Sequence, residues 1–203
     1  EHFEEILAFH LERGTTTLVP TLVTADKRTL LDSLGTLANF LDTSRAPRDA
    51  GTERDITMTL PGIHLEGPFL SPEKTGAHDA DVLHPPDLAL AKQFNAAAQG
   101  KLVIVTLAPE LPGAREVITY FATRLTPTGR PGVVSAGHSA ATYSQMREAI
   151  AAGLSFVTHA GNASDWPHRA MGELGFLTSQ PGLVGSLMIE PALGGSVILD
   201  GYH

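Results

Sequence analysis

The stretch Gly62-Ile63-His64-Leu65-Glu66-Gly67-Pro68-Phe69 decides the reading of this chain. An apolar run ends in one acid, Glu66, and Gly67-Pro68 then turns the backbone away. A carboxylate held at a strand tip is costly unless a positive group sits against it. Two later strand ends offer such groups: Val134-Ser135-Ala136-Gly137-His138-Ser139 and Phe156-Val157-Thr158-His159. One carboxylate and two imidazoles form a set that binds a first-row divalent metal and leaves positions open for water and substrate.

Outward from that strand, short apolar runs alternate with amphipathic helices. Residues 3–13 read as a helix ended by Gly14, and Thr15 to Thr24 as a strand interrupted by Pro20. Asp26 is placed to cap a helix over 26–42. A polar loop over 44–55 leads to a strand from Ile56 to Glu66. The long loop 67–86, rich in Pro and Gly, precedes a helix at 87–99 and the strand Leu102–Leu107. Helix 113–125 leads to Gly132–Ala136, and helix 140–152 leads to Ser155–His159. A second long loop, 160–181, contains Trp166 and Arg169, and strand-like pieces at 183–189 and 195–199 follow. Gly194-Gly195 reads as a turn, because no helix follows it as in a phosphate cradle.

Repeated β-α units imply parallel strands with helical crossovers. A doubly wound open sheet would gather ligands at one switch point. Candidate ligands at the ends of several strands favour a (β/α)8 TIM-type barrel instead. About six units are visible against a full barrel of roughly 250 residues, so a single, partial barrel domain over 1–203 is expected. Both ends of the chain look cut.

The composition fits a globular enzyme: 203 residues, 42% hydrophobic and 18% charged. The net charge of −8 argues against a nucleic-acid partner. The absence of cysteine excludes disulfides and thiolate zinc sites and fits a cytoplasmic protein. No run approaches the ~20 apolar residues of a membrane span, so no membrane partner is expected.

Several residues outside the ligand set have a functional reading beside a plain one. His78, after Gly76-Ala77 in the long loop, touches substrate or is simply solvated. Asn162 holds a sugar hydroxyl or phosphate, or belongs to a Gly161-Asn162 turn. Arg169 binds phosphate or lies on the surface. His203 ends another strand-like run, Asp200-Gly201-Tyr202-His203. His2, His10, His84 and His168 lack such a context.

Eight segments in order give the chain a specific likeness. They include Gly14-Thr15-Thr16-Thr17 through Pro20-Thr21-Leu22, His64 to Phe69, Lys74 to His78, and Val105-Thr106-Leu107-Ala108-Pro109-Glu110. They continue with Ser135 to Ser139, Thr158-His159 with Asn162, Pro181-Gly182-Leu183-Val184-Gly185, and Asp200 to His203. Together they resemble the N-acetylglucosamine-6-phosphate deacetylase family of the amidohydrolase superfamily. The resemblance implies Glu66, His138 and His159 as ligands of one divalent metal, zinc first, with iron, cobalt or manganese as alternatives. It implies Ala77, His78, Asn162, Ala163, Arg169 and His203 as substrate contacts, with His78 orienting the carbonyl. Arg169 would be lent across a homodimer.

The implied reaction removes acetate from N-acetylglucosamine 6-phosphate and leaves glucosamine 6-phosphate. The family's His-x-His strand would lie upstream of Glu1, and its catalytic Asp beyond His203. Ala160-Gly161-Asn162-Ala163-Ser164 departs from the family's usual aromatic before the Asn and Met after it. Two other readings stand beside this one: an amidohydrolase acting on a cyclic amide, and a non-catalytic sugar-phosphate-binding relic.

Overall fold

A computed structural model describes residues 2–43, 58–165, 167–171 and 177–199. The expected polar loop 44–55, Trp166 and His203 lie outside them. The helices are α1 (His2–Glu12), α2 (Lys27–Thr43), α3 (Leu88–Ala97), α4 (Ala114–Thr123), α5 (Tyr143–Ala151) and α6 (Leu183–Ile189). The strands are β1 (Thr21–Val23), β2 (Ile63–Glu66), β3 (Leu102–Leu107), β4 (Val133–Ala136), β5 (Phe156–Val157), β6 (Pro167–Met171), β7 (Leu177–Pro181) and β8 (Gly194–Gly195).

Local chemistry sets the helix boundaries. Gly14, at φ +89°, closes α1 with its N–H on the Leu11 carbonyl. The Asp26 carboxylate accepts from the backbone N–H of Arg28 and Thr29, and Asp87 accepts from Leu90 at 2.6 Å. Thr142 and Gln145 form a reciprocal capping box at the start of α5.

Six strands form one parallel sheet in the order β1-β2-β3-β4-β5-β8. The order follows the chain without reversal, so the sheet is wound in one sense, as in a partial (β/α) barrel and unlike a doubly wound sheet. The two-residue alternation of each strand sorts the side chains. Ile63, Leu65, Val105, Leu107, Val134, Ala136 and Val157 join Leu34, Phe94, Phe121 and Met146 of the helices in one apolar core. The alternate residues His64, Thr106, Ser135 and Thr158 are hydrogen-bonded to one another on the other face.

The structure corrects four expectations. Residues 183–189 form α6 and not a strand. A seven-residue apolar run suits either state, and packing against α5 decides it. The loop 160–181 contains an antiparallel pair, β6 and β7, with Arg169 opposite Ser179. Short, Pro-containing strands carry little periodic signal. Gly194-Gly195 is the paired part of the 195–199 piece, not a turn. A Cβ on Gly194 would sit 3.0 Å from the Phe156 ring, so the lack of a side chain lets β8 close on β5. Among the described residues, the strand foreseen from Ile56 to Glu66 begins as β2 at Ile63, with Thr59 bridged separately to Thr17, while Ile56 and Thr57 lie outside them. Pro61, which has no N–H to pair, lies between them.

Candidate metal centre

Glu66 is the last residue of β2, and His138 and His159 each lie two residues beyond the ends of β4 and β5. Parallel pairing aligns these ends, so residues far apart in sequence meet at the carboxyl edge of the sheet. Glu66 Oε1 lies 3.0 Å from His138 Nε2 and 2.8 Å from His159 Nε2, and the two imidazole nitrogens are 3.1 Å apart. Glu66 and His138 are buried.

Hydrogen bonding fixes the His138 tautomer. Its Nδ1 is 3.0 Å from the Lys74 carbonyl oxygen, which can only accept, so Nδ1 carries the hydrogen. Nε2 of the neutral ring therefore turns a lone pair toward the Glu66 carboxylate. Lone pairs at this distance repel unless a cation lies among them. Nitrogen and oxygen donors, with the Lys74 carbonyl orienting the His138 ring from behind, suit a divalent metal, and these three residues fit one.

Electrostatics agree. Burial alone pushes the Glu66 carboxyl up, but the imidazoles of His138, His159 and His78 gathered around it hold it well below the usual carboxylate range. Burial opposes a charge on His159, yet its bond to Glu66 raises its pKa above the ordinary value. Without a metal, a proton on His159 is thus the compensating cation. His138 and His159 both have left-handed backbone, at φ +49° and +31°, as does Ala163 at +43°. Such strain persists where surrounding contacts over-determine it, and it clusters at functional sites.

His78 does reach the centre. Its Nε2 is 3.8 Å from Glu66 Oε1 and its Nδ1 is 2.8 Å from Thr24 Oγ1. The Thr24 hydroxyl donates to the Glu66 backbone carbonyl at 3.3 Å, so it accepts from His78 Nδ1–H. Gly67, at φ +83°, makes room for this, because a Cβ there would run into Thr24 Oγ1.

A cavity of about 560 Å³ opens over Glu66, His138 and His159, and Lys74, Ala77, His78, Asn162 and Ala163 share its lining. The Lys74 ammonium pairs with Asp165 at 2.6 Å and ties loop 67–86 to the segment after His159. Arg169 is exposed on β6 and does not line this cavity. His203 falls outside the described residues. Sequence reasoning missed Thr24, His64 and Asp165. Thr24 was legible in principle, since it ends the 15–24 strand as Glu66 ends its own.

A singly wound parallel sheet with a carboxylate and two imidazoles at its carboxyl edge is the arrangement of part of an amidohydrolase-type barrel. Among curated proteins, the chain is 31% identical over 193 residues to N-acetylglucosamine-6-phosphate deacetylase of Bacillus subtilis, covering 95% of this chain and 43% of that protein. It is 38% identical over 197 residues to the human enzyme of the same name, covering 95% and 42%. A solved structure of the Mycobacterium smegmatis deacetylase in complex with N-acetyl-D-glucosamine-6-phosphate superposes with a TM-score of 0.72 at 33% identity, over 94% of this chain and 42% of that one. No protein-family model matches the chain. The chain is thus a homologue of the N-acetylglucosamine-6-phosphate deacetylases, and it spans about four tenths of the length of the relatives it matches.

Proposed function

We propose that residues 1–203 form part of a single barrel domain whose whole protein deacetylates N-acetylglucosamine 6-phosphate to glucosamine 6-phosphate and acetate. The observation that carries this reading is the convergence of Glu66 Oε1 with His138 Nε2 and His159 Nε2 inside the cavity. The name and bound ligand of the Mycobacterium smegmatis homologue support the substrate class.

A divalent metal, zinc first among zinc, iron, cobalt and manganese, supplies Lewis acidity and activates water when held by these three residues. The chain's own groups do the rest. Lys74 keeps the His138 hydrogen on Nδ1 and frees Nε2 for the centre. Thr24 holds His78 so that Nε2 points into the site. From there the ring orients the acetamide carbonyl over Glu66, His138 and His159. Ala77, Asn162 and Ala163 position the sugar. Arg169, from the neighbouring subunit of a homodimer, contacts the phosphate, and His203 contacts the substrate. The Asp that the resemblance places beyond His203 takes the proton from water and returns it to the leaving amine. The protein acts in the cytoplasm, without nucleic-acid or membrane partners. Among the described residues no helix is long and apolar enough to cross a membrane.

The test is metal stoichiometry by mass spectrometry on the purified chain, beside His138→Ala and His159→Ala. Near one metal per chain, lost in both variants, is the expected result. Full occupancy in either variant overturns the ligand assignment. Acetate release from N-acetylglucosamine 6-phosphate by the whole protein tests the substrate.

A further inference from the structure

We propose that Glu110 is a positioning residue that holds His138 in its metal-binding geometry. Glu110 lies just past the end of β3, in the segment Val105 to Glu110, which has no role in the reading above. Its carboxylate forks across the turn that follows His138. Oε2 accepts from the Ser139 hydroxyl at 2.7 Å, and Oε1 accepts from the Ala140 N–H at 2.7 Å. The Ser139 Oγ in turn accepts from the Ala141 N–H at 3.0 Å. The turn after His138 is therefore fastened to one carboxylate just past the neighbouring strand, at Ser139 and Ala140 directly and at Ala141 through the Ser139 hydroxyl.

The fastening matters because His138 is in left-handed backbone at φ +49°. A non-glycine residue there relaxes toward ordinary conformations unless its neighbours forbid it. Relaxation would swing the imidazole away from Glu66. Ser71 donates to the His138 carbonyl on one side, and Glu110 secures the chain on the other. The residue type fits the task. An ionised carboxylate only accepts, with two oxygens set to meet two donors, and its charge strengthens both bonds. Glutamine keeps one acceptor and offers a donor in place of the other. Alanine keeps neither. Ser139 is fully buried, so a lost partner there is not replaced freely by water.

The inference rests on the reading of Glu66, His138 and His159 as metal ligands. The experiment titrates cobalt(II) into the purified full chain and into Glu110→Ala, Glu110→Gln and Ser139→Ala, following the visible absorption of the bound ion. Asp87→Ala, which removes the α3 cap, serves as a purely structural control. Glu110→Ala is expected to weaken cobalt affinity about 10- to 100-fold and to alter the spectrum, with Glu110→Gln in between. Asp87→Ala is expected to lower stability and leave affinity and spectrum alone. Parent affinity and spectrum in a folded Glu110→Ala overturn the inference while the ligand reading stands. If Glu110→Ala does not fold, unchanged binding by Ser139→Ala overturns it in the same way. A parent chain that takes up no cobalt removes the ligand reading and this inference together.

Discussion

Thr106 of β3 and Thr158, beside His159, share a hydrogen bond of 2.8 Å across the inner face of the sheet. The pair sits within a longer row. His64 Nε2 is 2.7 Å from Thr106 Oγ1, and Ser135 Oγ is 2.6 Å from Thr158 Oγ1. Four strands are thus laced together one step below the ligands. Thr106→Val keeps the shape but leaves His64 short of a partner in a buried setting. A loss of about 1–3 kcal/mol is expected from the urea midpoint. A neutral result would show that His64 finds another partner.

Gly137 lies between these hydroxyls and His138. A Cβ there would be 2.7 Å from Thr106 Cγ2 and 3.2 Å from Thr158 Cβ. Both neighbours are buried and held by hydrogen bonds, so neither yields easily. Gly137→Ala is expected to destabilise the chain by about 1–3 kcal/mol and to weaken metal uptake. Parallel thermal melts and metal analysis check both effects.

The metal-free chain should be most stable near neutral pH. His64 is pushed down to about 4, chiefly by burial. The unfolded chain therefore binds a proton between pH 6.5 and 4 that the folded chain does not. The contribution of His64 is full above pH 6.5 and is lost as pH falls toward 4, by roughly 3 kcal/mol. His159 works the other way. Its raised pKa gives stability below the ordinary histidine value, lost as pH rises through the raised one. Urea melts across pH 4–9 with chelator present should trace a dome. His64→Gln should flatten the acid side only.

Thr24→Val removes the hydroxyl that orients His78 and contacts no ligand nitrogen of the metal set. In the whole protein, deacetylation is expected to fall about tenfold to a hundredfold in kcat. Metal content should stay at the parent level. Loss of metal instead would place Thr24 with the ligand geometry and not with His78.

The convergence of Glu66, His138 and His159 was legible because strand ends announce themselves: an apolar run, one functional side chain and a glycine beside it. Glycine follows Glu66 as Gly67 and precedes His138 as Gly137. The parallel sheet was legible from the alternation of runs and helices. What stayed hidden depended on packing between distant segments. Residues 183–189 carry no decisive period, and α5 makes them helical. Gly194-Gly195 looks like a turn until the Phe156 ring is placed beside it. His64 sits in the quoted motif, yet its neighbours Thr21 and Thr106 are brought to it only by strand pairing. Glu110 likewise shows no role until β3 and β4 lie side by side.

Glu66 and His159 are 93 residues apart in the chain, and they touch through one carboxylate oxygen. An ion bound to both acts as a removable cross-link closing a very long loop. The unfolded chain cannot assemble that grip, so each tenfold rise in free metal above its dissociation constant adds about 1.4 kcal/mol to the folded state. The backbone between the two ties, from β2 through β5, becomes one cooperative unit whose opening requires release of the ion. Amide hydrogen exchange in that span should then slow as metal concentration rises, while α1, which lies outside the ring, keeps its own rate.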